Sequence, residues 1–80
     1  MHVVTLIDVD SSNLQAVGYD LAEHSLYVRF HSGRLYRYSR VPPLIYEELM
    51  KSESKGKFFD TQVRNVLAFE IVTVAVETSA

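Results

Sequence analysis

Residues 26–50, LYVRFHSGRLYRYSRVPPLIYEELM, decide how this 80-residue chain folds. Leu26, Val28 and Phe30 recur at every second position and line one face of a strand. His31-Ser32-Gly33 supplies hairpin chemistry, with a glycine available for positive φ. Residues 35–39 return as the next strand. Pro42-Pro43 then ends the sheet, because proline cannot donate to a ladder and restricts its predecessor. Pro43 suits the first turn of a helix. Ile45 and Leu49, like Tyr46 and Met50, lie four apart and give that helix one broad apolar face.

Outward from this core the pattern continues in both directions. Residues 20–24 read as a turn and residues 14–19 as a strand. Ser11-Ser12-Asn13 are types that bond their own backbone, so a break or bulge is expected there. Residues 2–9 alternate loosely, with Val3, Thr5, Ile7 and Val9 on one face and Val4 and Leu6 on the other. Towards the C-terminus, Ser54 suits the N-cap of a second short helix running to about Arg64. Phe59, Val63 and Val66 form its apolar stripe, and residues 67–76 resume alternation as a final strand. The class is α+β: a small antiparallel β-meander with two short helices packed on one face and a C-terminal strand. Residues 1–80 form a single domain without internal repeat or linker.

A hydrophobic content of 48% against 22% charged residues belongs to a globular chain and argues against disorder. With no cysteine there is no disulfide framework, thiolate nucleophile or sulfur-ligated metal. No apolar run approaches the roughly 18 residues of a membrane span, and the N-terminus lacks the features of a signal peptide. A cytoplasmic protein with no membrane partner is expected.

The net charge of −2 hides an uneven distribution. Residues 1–28 sum to −4, residues 29–64 to +4 and residues 65–80 to −2. Arg29, Arg34, Arg37 and Arg40 fall together with no acid between them. A local positive field of this kind attracts a polyanion even on an acidic chain. The alternative is a solubilising face of a strand.

Enzymatic chemistry finds little support. Asp8-x-Asp10-x-Ser12 resembles the opening of a calcium loop, but Asn13 and Tyr19 stand where glycine and glutamate are required. His2, His24 and His31 lack metal-ligand spacing, and Ser52-x-x-Lys55 lacks the companion motifs of a serine acyl-transferase. Two features remain. In Tyr36-Arg37-Tyr38 both rings fall on one face and Arg37 on the other. On an open face the rings would stack on unpaired bases. Beneath the helices they would be core, the favoured reading for a small sheet with one helical layer. In that case Arg37 and Arg29 carry the contact. The second feature is Ser54-Lys55-Gly56-Lys57, where free N–H groups and two lysines suit an anion. A capping serine with a close-packed glycine explains it equally well.

Taken together, SSNLQAVGYD (11–20), residues 26–50 and SKGKFFDTQVRN (54–65) closely resemble the KTSC domain. That family is named for a segment at the C-terminus of some lysyl-tRNA synthetases and also occurs as small free-standing proteins of bacteria and phages. The markers are Ser11-Ser12, Gly18-Tyr19-Asp20, Phe30, Ser32-Gly33, Tyr36-x-Tyr38, Val41-Pro42, Tyr46, Ser54-Lys55-Gly56, Phe58-Phe59 and Arg64. The resemblance covers about residues 11–72, leaving 1–10 and 73–80 as additional terminal strands. It implies a short α+β domain, RNA binding suggested from the synthetase context, no catalytic residues and no cofactor. Val66 and Ile71 stand where the family's basic C-terminal segment would carry arginine, which makes the last strand unusually apolar.

The expected function is a non-enzymatic binding module that engages RNA or another nucleic acid through Arg29, Arg34, Arg37 and Arg40, with Tyr36 and Tyr38. Ser54, Lys55, Gly56, Lys57 and Arg64 form the candidate anion site. The alternative is a protein–protein interaction module, favoured if Asp20, Glu23 or Glu70 pairs with the arginines. Because the terminal strands lack charge, a homodimer through them is expected, with pairing inside one chain as the alternative.

Overall fold

The fold is built outward from the β3–β4 hairpin in a computed structural model that describes residues 4–64, 67–72 and 77–78. Strand β3 (Ser25–Phe30) pairs antiparallel with β4 (Leu35–Tyr38), setting Tyr27 opposite Arg37 and Arg29 opposite Leu35. Gly33, at φ 96°, closes the turn by donating its N–H to the Phe30 carbonyl at 2.8 Å. Strand β2 (Leu14–Asp20) joins β3 with a register shift between Leu14 and Ala16, next to the serine-rich break that the sequence predicts. Strand β1 (Thr5–Asp8) joins β2 antiparallel.

The last strand expected over residues 67–76 is instead two short strands on opposite edges. Strand β5 (Phe69–Ile71) pairs antiparallel with β4, and β6 (Glu77–Thr78) pairs parallel with β1 of the same chain. The order is β5-β4-β3-β2-β1-β6. The length of β4 sets that of β5: its ladder runs from the Ser39 N–H on the Ala68 carbonyl to the Val72 N–H on the Leu35 carbonyl. Residues 73–76, where a dimer contact was expected, lie outside the described residues, as does Val66 of the predicted apolar stripe.

Helix α1 (Pro43–Lys51) starts on its proline and buries Leu49. Helix α2 (Lys55–Phe59) is shorter than expected, because a π-helical turn takes over at Asp60–Arg64. Ser54 holds the N-cap position, but its hydroxyl makes no capping bond, contrary to the expectation. Both helices cover one face of the sheet. Leu14, Val17, Leu26, Val28, Tyr38, Val41, Leu49, Phe59 and Val63 form the main core there. The opposite face is not bare: Leu6, Ala16 and Leu35 bury themselves with help from Tyr27 and Val72. Val4, just before β1, and Leu6 within it are buried, while Thr5 and Ile7 are exposed.

Candidate functional site

The four arginines of the basic segment do not form one surface. Period-2 geometry puts Arg29 and Arg37 on the face opposite the helices, both half-buried. Arg34 is exposed in the β3–β4 turn. Arg40 is exposed beyond β4, in a left-handed conformation at φ 59°. On the Arg29 face, Tyr27, Arg37 and Glu70 stand side by side across β3, β4 and β5. The Glu70 carboxylate forms an ion pair with Arg37. The Tyr27 hydroxyl, and then Glu70, hold the guanidinium pKa above its ordinary value against the opposing effect of burial. Glu70 thus compensates a charge on which the nucleic-acid expectation relied. The Asp20 carboxylate accepts the Ala22 and Glu23 N–H groups and so shapes the β2–β3 turn.

The tyrosines divide between core and groove. Tyr38 is 1% exposed, so it is core as favoured above. It meets Phe59 edge-on at 5.2 Å and Phe69 at 5.5 Å. Tyr36 is half-buried, 4.9 Å from Phe69 and 5.2 Å from Phe30. The rings form the wall of a groove of about 470 Å³ lined by Asn13, Phe30, His31, Ser32, Tyr36, Tyr38, Arg64 and Phe69. The Arg64 guanidinium stands 5.8 Å from the centre of the Phe30 ring, within cation–π range. It is 54% exposed and donates to Asp60 Oδ1 at 3.3 Å. Burial raises the Tyr38 phenol pKa, and nearby Arg64 pulls it back.

One end of the groove is braced by three segments distant in sequence. Ser11 Oγ accepts the N–H groups of Asn13 and Leu14, closing a local turn. His31 Nε2 donates to the Ser11 carbonyl at 2.8 Å, and the His31 N–H donates to the Asn13 carbonyl. From the other side Gly56 packs so closely that a Cβ there would lie 3.1 Å from Ser11 Oγ. A side chain at this position would need Ser11 to give way by a few tenths of an ångström.

Beyond Asn13 a second concavity contains the candidate anion residues Ser54, Lys55, Gly56 and Lys57. It also contains Asp10, Glu53 and Asp60. Lys55 Nζ donates to the Ser52 carbonyl at 2.9 Å, where it caps the end of α1. Helix α2 has only five residues. The fifth candidate, Arg64, lines the aromatic groove instead. Among the described residues, no group of His, Cys, Asp and Glu is arranged to hold a metal, and no helix is long and apolar enough to cross a membrane.

Asn13, Phe30, His31, Ser32 and Phe69 complete the groove but were not among the site residues read from sequence. Phe30 shares the alternation of Leu26 and Val28, so sequence marks it as core. Only its place at the end of β3 leaves its ring half-open.

Comparison with known proteins agrees with this architecture. The sequence model of the KTSC domain matches residues 10–67. A protein of Tsukamurella paurometabola is 43% identical over 56 residues, covering 70% of this chain and 84% of that protein. An uncharacterised protein of Stutzerimonas stutzeri is 41% identical over 54 residues, covering 68% and 76% respectively. A lysine–tRNA ligase of Nostoc punctiforme is 31% identical over 65 residues, which are 81% of this chain and 12% of the ligase. The crystal structure of a KTSC domain protein from Yersinia pestis superposes with a TM-score of 0.84 at 27% identity, covering 88% of this chain and 99% of that one.

Proposed function

This chain belongs to the KTSC domain family, and on that premise we propose that it is a non-enzymatic module of the cytoplasm that binds single-stranded RNA along the aromatic groove. One observation carries the reading: Arg64 stands over Phe30 at a groove lined by the partly exposed rings of Phe30, Tyr36 and Phe69, with no carboxylate among the described lining residues. Unpaired bases stack on such rings while arginine holds phosphate. Arg34, exposed in the turn that also contributes Ser32, supplies a second phosphate contact from the basic segment. The likeness to part of a lysine–tRNA ligase, an enzyme named for an RNA substrate, supports the same reading.

The test is polarisation of labelled single-stranded RNA and DNA across a salt series. Binding is expected to weaken with salt as counterions are released. Replacing Arg34 and Arg64 together is expected to flatten the slope by about 1.4 units, at about 0.7 per lost contact to a single strand. The Arg29 and Arg37 double replacement reports on the opposite face and is expected to change the slope less. RNA affinity unaffected by Arg34 and Arg64 overturns the groove assignment.

A second reading, a protein–protein interaction module, is favoured by the Arg37–Glu70 pair and by Phe69 and Ile71, which are 53% and 54% exposed on the edge strand β5. Failure to bind any nucleic acid at low salt selects it.

A further inference from the structure

We infer that the aromatic groove is a socket for one nucleotide unit, with its base stacked against Tyr36 and Phe69 and its phosphate at Arg64. The inference rests on the nucleic-acid reading above and gives that groove a ligand of defined size and charge.

Size comes first. At about 470 Å³ the groove falls in the lower half of the range for small-ligand sites. A space of that size accommodates one base with its sugar and phosphate. Chemistry comes second. Phe69 rests on Tyr36 and Tyr38 and keeps 53% of its surface in water. A flat aromatic ligand covers that surface and gains a stacking contact.

Charge comes third. Arg64 is the only Lys or Arg among the described lining residues, and no Asp or Glu is among them. The concavity beyond Asn13 contains three carboxylates with its two lysines, so the two spaces differ in the ligand they favour. Asp60 takes one N–H of Arg64, and a guanidinium carries five donors, which leaves a fork for phosphate oxygens. Arg64, which shares its charge with Asp60, offers one guanidinium to one phosphate. At the polar end, the Asn13 carboxamide and the Ser32 hydroxyl can bond to a base edge. The bonds of Ser11 and His31 hold that end in place, so less conformational freedom is lost on binding.

The same chemistry comes from a free mononucleotide or from one unpaired base of an RNA strand. The experiment titrates the isotope-labelled intact chain by NMR with adenosine monophosphate, adenosine, inorganic phosphate and a short single-stranded RNA. Adenosine monophosphate at millimolar concentration is expected to shift the ring resonances of Phe30, Tyr36 and Phe69 and the Arg64 side chain, and to saturate. Adenosine is expected to bind more weakly, and phosphate alone to leave the rings unmoved. Phe69→Leu, which keeps an apolar contact at the sheet edge, is expected to weaken the mononucleotide about tenfold, the effect of one lost base stack. Arg64→Gln is expected to remove the advantage of the monophosphate over adenosine. Each variant is first checked for the parent's melting transition. Saturation by the mononucleotide without RNA binding supports the socket and overturns the RNA reading. RNA binding without any mononucleotide response in these rings overturns the socket and leaves the RNA reading standing. No response to either ligand overturns both.

Discussion

Gly18→Ala would place a methyl group where two strands already touch. The new Cβ would stand 2.6 Å from the Thr5 carbonyl oxygen, 2.9 Å from Leu6 Cδ2 and 3.1 Å from Val4 Cγ1. The nearest of these is backbone, so rotating a side chain cannot relieve it. Ordinary contact begins at 3.4 Å, so relief requires β1 to retreat by the difference from 2.6 Å, about 0.8 Å. That retreat strains the pairing of Ile7 with Val17 and Asp8 with Ala16, and stretches the 3.1 Å bond from the Val9 N–H to the Gln15 carbonyl. It also loosens Leu6, which is fully buried on the same strand. Overpacking costs about 1–3 kcal/mol, and one or two lost ladder bonds add about 1 kcal/mol each, giving about 2–5 kcal/mol. A chain of this length has a total stability of about 4–12 kcal/mol, so the loss is large. Urea unfolding followed by tyrosine fluorescence measures it, and amide hydrogen exchange on β1 locates it. Gly33→Ala is the control: with φ at 96° and no heavy atom within 4 Å, it suffers backbone strain alone. That strain is about 1–2 kcal/mol and leaves β1 protection unchanged. A Gly18→Ala cost below about 0.5 kcal/mol, with β1 amides protected as in the parent, would refute this reasoning.

Tyr38→Ala is expected to destabilise by about 3–5 kcal/mol, as truncation of a buried aromatic does, and calorimetry or urea melting reads it directly. Burial raises the phenols of Tyr19, Tyr38 and Tyr46 above their ordinary pKa, so the folded state holds these protons more tightly than the unfolded chain. Stability is then full below about pH 10 and falls as pH rises through the raised values, which urea midpoints and ultraviolet titration would follow together. A double-mutant cycle on Arg37 and Glu70 is expected to give a coupling below about 1 kcal/mol, because both side chains are partly in water. Light scattering on the intact chain is expected to give a monomer, since β1 takes β6 from its own chain; a dimer that becomes a folded monomer when the chain ends at Val72 would overturn this.

Local sequence determined the elements whose causes are themselves local. Alternation at Leu26, Val28 and Phe30, turn chemistry at His31-Ser32-Gly33 and the stop at Pro42-Pro43 specify the hairpin and the start of α1, because neighbouring residues alone set φ, ψ and facing. The same alternation sent Arg29 and Arg37 to one face and the tyrosine rings to the other. It could not say that Glu70, thirty-three positions away from Arg37, would stand opposite it. That pairing depends on the register in which the returning chain meets β4, and a strand of three residues carries little local information about register. The shift to a π-helical turn at Asp60 likewise lacks a local signal, although it separates Arg64 from the lysines expected beside it. The groove has the same origin. Ser11, His31 and Gly56 belong to three separate loops or helix ends, and they meet only because the β3–β4 turn and α2 both pack against the β1–β2 loop. Residue type made each of these contacts available, but tertiary closure chose the partners, because contacts between distant segments form only when the whole core is buried.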